Sequence, residues 1–221
     1  MSEKIRCGGR PVTAIVLAGG QGRRMKADKA GLDVAGRTLL EHVLAQVEPL
    51  FDEIVVSLSP GRALPFRPRT GLRVVEDAVP GLGPLAGILA GLRAARNDAC
   101  MVIACDIPDI DVPLLETLAR ATCGSEITVP VGPSGLYEPL FALYRRSIVP
   151  EIEALLTSGE CSILPLFDRC RTVVVESEDA GRLRNLNTRA DYEAYVRSME
   201  AKKAATRGAN KGRPRPRGLK P

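Results

Sequence analysis

Apolar runs alternate with amphipathic stretches along most of the chain, and the two kinds have different periods. Residues 12–18 (VTAIVLA) are almost continuously apolar, which predicts a buried strand, and they run directly into glycines. Within residues 38–47, Leu40, Val43, Leu44 and Val47 fall at i, i+3, i+4 and i+7, one face of a helix. Residues 53–58 (EIVVSL) and 72–76 (LRVVE) read as strands joined by a Pro/Arg-rich loop. Gly83-Pro84 opens a second helix, because the N–H that proline lacks is not needed in a first turn. Its core face is Leu85, Ile88, Leu89 and Leu92. Residues 100–105 (CMVIAC) form the most apolar strand, which predicts a central place covered on both sides. Asp111 is set to cap a helix with Pro113 in its first turn.

Alternation of this kind predicts an α/β fold, a mostly parallel sheet with helices on both faces. Past residue 123 the rhythm changes. Residues 126–131, 140–144 and 172–176 read as strands, and the first two are too close for a crossover helix, so a hairpin or an antiparallel edge is expected. No linker or internal repeat interrupts the body. One domain over residues 12–201 is expected, after a loose segment 1–11.

Charge divides the chain once more. The net charge is +5 over 221 residues, but residues 202–221 carry +8 with no Asp or Glu, so residues 1–201 sum to −3. The tail is built of Lys, Arg, Pro, Gly and Ala and should be disordered, since little in it can repay the entropy of ordering. A solubilising extension is the preferred reading, transient contact with nucleic acid or acidic partners the other. The hydrophobic share of 45% and charged share of 26% are those of a soluble globular protein, with an aliphatic core because Trp is absent. No stretch is long enough for a membrane span, and residues 1–6 lack the apolar region of a secretory signal, so a cytoplasmic protein without membrane partners is expected. The six cysteines form no C-x-x-C pair and read as structural. The one histidine, His42, falls off its helix's apolar face and should be exposed. With no second histidine, a Ser-His-Asp hydrolase is excluded.

Ligands bind beyond the carboxyl ends of the strands in an open parallel sheet. Three segments there carry unusual residues. Gly19, Gly20 and Gly22 follow the first strand, where glycines let backbone N–H groups approach a phosphate. Arg23, Arg24, Lys26 and Lys29 bring cations to the same loop. The loop is neither a Walker A sequence nor G-x-G-x-x-G, because Met25 stands where the last glycine belongs. Asp106, in C-D-I-P at the end of the most apolar strand, is suited to hold Mg²⁺ at the mouth of that loop. Asp77 precedes the Gly83-Pro84-Leu85-Ala86-Gly87 helix start. Gly87 and Gly91 each cost that helix about 1 kcal/mol against Ala, so something should pack on its backbone. For Gly91, close helix–sheet packing without a ligand is the expectation.

These segments, with Glu138-Pro139-Leu140-Phe141-Ala142-Leu143-Tyr144 and Asn185-Leu186-Asn187-Thr188, resemble the molybdenum cofactor guanylyltransferase family, from about Val12 to Tyr195. The glycine signature alone would give only the nucleotidyltransferase superfamily. The resemblance implies a single Rossmann-like nucleotidyltransferase domain that moves GMP from GTP to molybdopterin with Mg²⁺. By position, Leu17, Ala18, Gly19, Gly20, Gly22, Lys29, Ser57, Asp77 and Asp106 would bind GTP. Arg24, Lys29 and Asp106 would serve catalysis, and Asp106 would hold the metal. Glu138, Asn185 and Asn187 are candidates for the acceptor pocket. Ser57 stands where the family often has Asn, Lys26 where Gly is usual, and Arg189 where Pro usually follows N-x-N-T. The basic tail lies outside the family pattern.

Molybdoenzymes or their chaperones would be transient partners. Competing readings are a cytidylyltransferase or sugar-phosphate nucleotidyltransferase on the same fold, a nucleic-acid-binding or adaptor protein acting through the tail, and an NAD-dependent dehydrogenase. The last is disfavoured by the cationic, incomplete glycine signature.

Overall fold

A computed structural model describes residues 3–19, 21–22, 27–67, 71–77, 83–122, 124–177 and 183–211. Its centre is a seven-stranded sheet: β1 (Thr13–Leu17), β2 (Glu53–Leu58), β3 (Leu72–Glu76), β4 (Ala99–Ala104), β5 (Ile127–Val131), β6 (Phe141–Arg145) and β7 (Thr172–Glu176). The strand order is β7-β5-β6-β4-β1-β2-β3, so the most apolar strand, β4, is central as its composition requires. Every pairing is parallel except those of β6, which runs against both β4 and β5. β5 and β6 thus pair as the expected hairpin, but the antiparallel strand β6 lies inside the sheet, and the edge beyond β5 is β7, paired in parallel.

Helices α1 (Leu39–Val47), α2 (Gly83–Ala94), α3 (Val112–Ala121), α4 (Val149–Thr157), α5 (Pro165–Arg169) and α6 (Arg189–Lys211) complete the fold. Thr38 and Glu41 form a capping box at the start of α1, and Asp111 caps α3 by accepting from Leu114 N. Strand alternation sorts the core into two layers. Ala14 and Val16 of β1 pack with α1 and α3, while Ile15 packs with α2 and α4 on the other face. At Gly91, an added Cβ would collide with Ile15 Cγ2, so that glycine serves close helix–sheet packing. Among the described residues, no helix is long and apolar enough to cross a membrane.

Three expectations are corrected. Residues 1–11 are not loose where described: Arg6–Cys7 pairs with Arg10–Pro11 in a hairpin, and Ile5 and Cys7 are buried. Lys4 Nζ donates to Glu48 O and Phe51 O just past α1, where a cation is favoured at a helix C-terminus. His42 is half-buried, because α6 lays Tyr195 against it from far along the chain. The region read as tail from Lys202 continues α6 to Lys211, in a stretch whose alanines favour helix. Residues 212–221 and Cys123 lie outside the described residues.

Candidate active site

The carboxyl ends of β1, β2 and β4 are level. Leu17 pairs with Ser57 on one side and with Ala104 on the other. Ladder bonds carry this register one step further, from Ala18 N to Ser57 O and from Cys105 N to Leu17 O. Asp106 thus leaves the central strand beside the glycine loop. An added Cβ on Gly19 would lie 2.7 Å from both Ser59 N and Ser59 Oγ, so only glycine fits. Ser59 Oγ donates to Gly19 O, a tie that had no signal in the sequence. Gly20, Arg23, Arg24 and Lys26 lie outside the described residues; at Gly22 the backbone pairs with Ala27.

Lys29, in a short 3-10 turn, places Nζ 2.9 Å from Asp106 Oδ2. Their side chains are 11% and 22% exposed, so the pair is largely shielded from water and either charge alone would be costly. Lys29 Nζ also reaches Asn187 Oδ1 at 3.5 Å, a long hydrogen bond. Asn185 Nδ2 donates to Glu138 Oε2 at 3.4 Å. Burial raises the Glu138 carboxyl above its ordinary value, with the Asp106 charge adding and the Asn185 amide opposing. The three acceptor-pocket candidates therefore adjoin the Lys29–Asp106 pair.

Asp77 stands differently. Its N–H donates to Leu58 O, and its Oδ1 is buried without a hydrogen-bond partner among the described residues. Burial, then the charge of Glu76, raises its carboxyl above the usual range. Ser57 is 2% exposed, and its Oγ would lie 3.2 Å from a Cβ on Gly87. Its side chain is thus packed beneath α2, while its carbonyl accepts from Ala18 N. Gly87 is the close contact that its cost predicted.

The start of α6 sets Asn187. Asp191 Oδ2 accepts from Asn187 N at 3.1 Å and Thr188 N at 2.7 Å, and Thr188 Oγ1 accepts from Asp191 N at 3.1 Å. This reciprocal cap has its signature in the sequence as Thr188-x-x-Asp191. Arg189 follows Thr188 in the first turn, where a proline is equally acceptable, so its departure from the family pattern leaves the helix start intact.

A glycine turn and a lysine beside a strand-end aspartate, at the carboxyl edge of a mostly parallel sheet, define a nucleotidyltransferase. Residues 14–174 match the model of the MobA-like NTP transferase domain. The chain belongs to that family. It is 36% identical over 181 residues to the molybdenum cofactor guanylyltransferase of Pseudomonas putida, covering 80% of this chain and 94% of that one. It is 34% identical over 181 residues to a probable molybdenum cofactor guanylyltransferase of Pelotomaculum thermopropionicum, covering 82% and 83%. The crystal structure of molybdopterin-guanine dinucleotide biosynthesis protein A from Archaeoglobus fulgidus superposes with a TM-score of 0.69 at 26% identity, over 88% of this chain and 100% of that one.

Proposed function

We propose that this protein transfers GMP from GTP to molybdopterin, releasing pyrophosphate and leaving the guanine dinucleotide form of the cofactor. The observation that carries this reading is the junction at Lys29, whose ammonium meets Asp106 on the nucleotide side and Asn187 on the acceptor side. The named relatives give the substrate pair.

The terminal phosphate of molybdopterin attacks the α-phosphorus of GTP in line. The new P–O bond forms as the bond to pyrophosphate breaks, and pyrophosphate takes the electron pair. The attacking phosphate is already ionised, so no general base is needed. The protein's work is to align two anions and offset their repulsion. Leu17, Ala18, Gly19, Gly20 and Gly22 would carry the nucleotide on backbone N–H groups, with Asp77 and the wall at Ser57 completing its site. Arg24 and Lys29 would meet the phosphates. Glu138, Asn185 and Asn187 would line the acceptor pocket.

Family members work with a divalent metal, and Mg²⁺ at Asp106 is the proposed ion. The donors fit, because Mg²⁺ is held by one or two carboxylates with substrate phosphates and waters rather than by a protein cage. When bound, the ion would neutralise charge on the transferring phosphates. The proposed setting is the cytoplasm, with molybdoenzymes or their chaperones as transient partners and the basic residues 202–221 as a solubilising extension.

The test is thermal stabilisation by GTP, CTP, ATP and UTP, each with and without Mg²⁺, followed by transfer to molybdopterin. GTP with Mg²⁺ should stabilise most and support transfer. Stabilisation by CTP in its place would make the chain a cytidylyltransferase.

A further inference from the structure

Tyr195 of α6 takes no part in the reaction just described, yet it is tied to the turn that carries Asp106. It is fully buried with Val34, Leu39 and Leu186. Its hydroxyl lies 2.9 Å from His42 Nε2 on α1 and 2.9 Å from Asp109 Oδ1. A phenol has one proton and a carboxylate only accepts, so the O–H is donated to Asp109 and the oxygen accepts from His42 Nε2–H.

Asp109 ends the turn that Asp106 begins. At the turn's start, Leu186 N donates to Asp106 O at 2.8 Å. One C-terminal segment therefore grips both ends of the turn. Gln46 of α1 holds the residues on either side of Asp109, with Nε2 donating to Pro108 O at 2.7 Å and Oε1 accepting from Ile110 N at 3.2 Å. A tyrosine needed only for packing could be phenylalanine. The hydroxyl is the part that reaches the turn.

We propose that Tyr195 is a positioning residue for guanylyl transfer: through Asp109, its hydroxyl fixes the turn that presents the Asp106 carboxylate to Lys29 and the divalent ion. This rests on the reading of the site given above. Groups that hold a metal-binding side chain in place typically change metal affinity 10–100-fold when removed, without touching metal or substrate themselves.

The experiment uses the full chain with Tyr195→Phe, Asp109→Ala and, as a matched control, Tyr192→Phe. Tyr192 lies on the same helix, but its hydroxyl donates to Asp33 O, away from the turn. Calorimetry reads GTP binding as a function of Mg²⁺ concentration, and hydrogen exchange reads residues 104–110. Tyr195→Phe should raise the Mg²⁺ needed for half-maximal GTP binding about tenfold and speed exchange in that segment. Tyr192→Phe should do neither, whatever its effect on melting. Asp109 is exposed, so its alanine variant keeps the test open if Tyr195→Phe folds poorly. It should reproduce the Tyr195→Phe phenotype, and the double variant should be no worse than either single one. Tyr195→Phe behaving as Tyr192→Phe does, or fully additive losses, overturns the inference alone. Failure of the unaltered chain to bind GTP with Mg²⁺ overturns the reading of the site and the inference with it.

Discussion

Lys29 Nζ and Asp106 Oδ2 stand 2.9 Å apart although 77 residues separate them in the sequence. The contact exists because β1 and β4 are neighbours, so the loops leaving them share one edge of the sheet. It joins the cation of the glycine loop to the carboxylate proposed for the metal, and it sets distinct expectations for the two residues.

Asp106→Asn keeps the shape and removes the charge. Single-turnover GMP transfer at saturating Mg²⁺ should fall at least about 100-fold, the size of a lost electrostatic group in an active site. A melting curve should show the fold still standing. Lys29→Ala should weaken GTP binding as well as turnover, because its charge is proposed to meet the phosphates before reaction. A rate for Asp106→Asn within about tenfold of the unaltered chain would mean that the aspartate only closes a turn.

The glycines divide by what surrounds them. Gly19→Ala drives a Cβ into the backbone of Ser59 and should cost about 1–3 kcal/mol along with GTP binding. Gly87→Ala meets only side-chain ends, the Ser57 hydroxyl at 3.2 Å and Leu17 Cδ2 at 3.3 Å, and gains about 1 kcal/mol of helix propensity, so its stability should change less than that of Gly19→Ala. Chemical denaturation of both variants reads the difference directly.

The raised carboxyl of Glu138 fixes the sign of a pH effect. Its neutral form is favoured in the fold. That contribution is fully present below the unfolded carboxyl value of about 4.3 and is lost as pH rises through the folded value. Glu138→Gln should therefore melt higher than the unaltered chain at about pH 7 and no differently at about pH 4. The same substitution should weaken binding of molybdopterin. Melting curves at the two pH values check the first expectation and acceptor titration the second.

Truncation after Ala201 keeps Tyr192, Tyr195 and Met199, which pack on the body. It removes the bond from Lys203 Nζ to Ala35 O at 3.4 Å, which is exposed. GTP binding and turnover should stay within about twofold, the range of a surface change. A larger loss in the folded, truncated protein would give the basic segment a part in the reaction.

The strand–helix rhythm and the central place of β4 were legible because each depends on residues close in sequence. The Asp111 cap and the Gly83-Pro84 helix start were legible for the same reason. What escaped depends on distant partners. Nothing near Ile5 shows that its N–H will meet Leu50 O, so the first residues read as loose. His42 read as exposed because helical periodicity knows only its own helix and not Tyr195. In the tail, charge hid the helix propensity of its alanines. Asp106 and Lys29 each stood out alone, whereas their contact, and the role of Ser59 in holding Gly19, required the fold.

Because β6 runs against its neighbours, the chain reaches the working edge of the sheet from two directions. The proposed nucleotide site draws on residues at the ends of β1, β3 and β4. Glu138 arrives on the turn that enters β6, where Leu140 O accepts from Ala104 N and Leu136 is 69% exposed. An insertion or exchange in that turn need not disturb the register of β1, β2 and β4 beside the proposed phosphate site. On the proposed reading, inheritance could alter the recipient of the nucleotide in that turn while conserving the strands that deliver it.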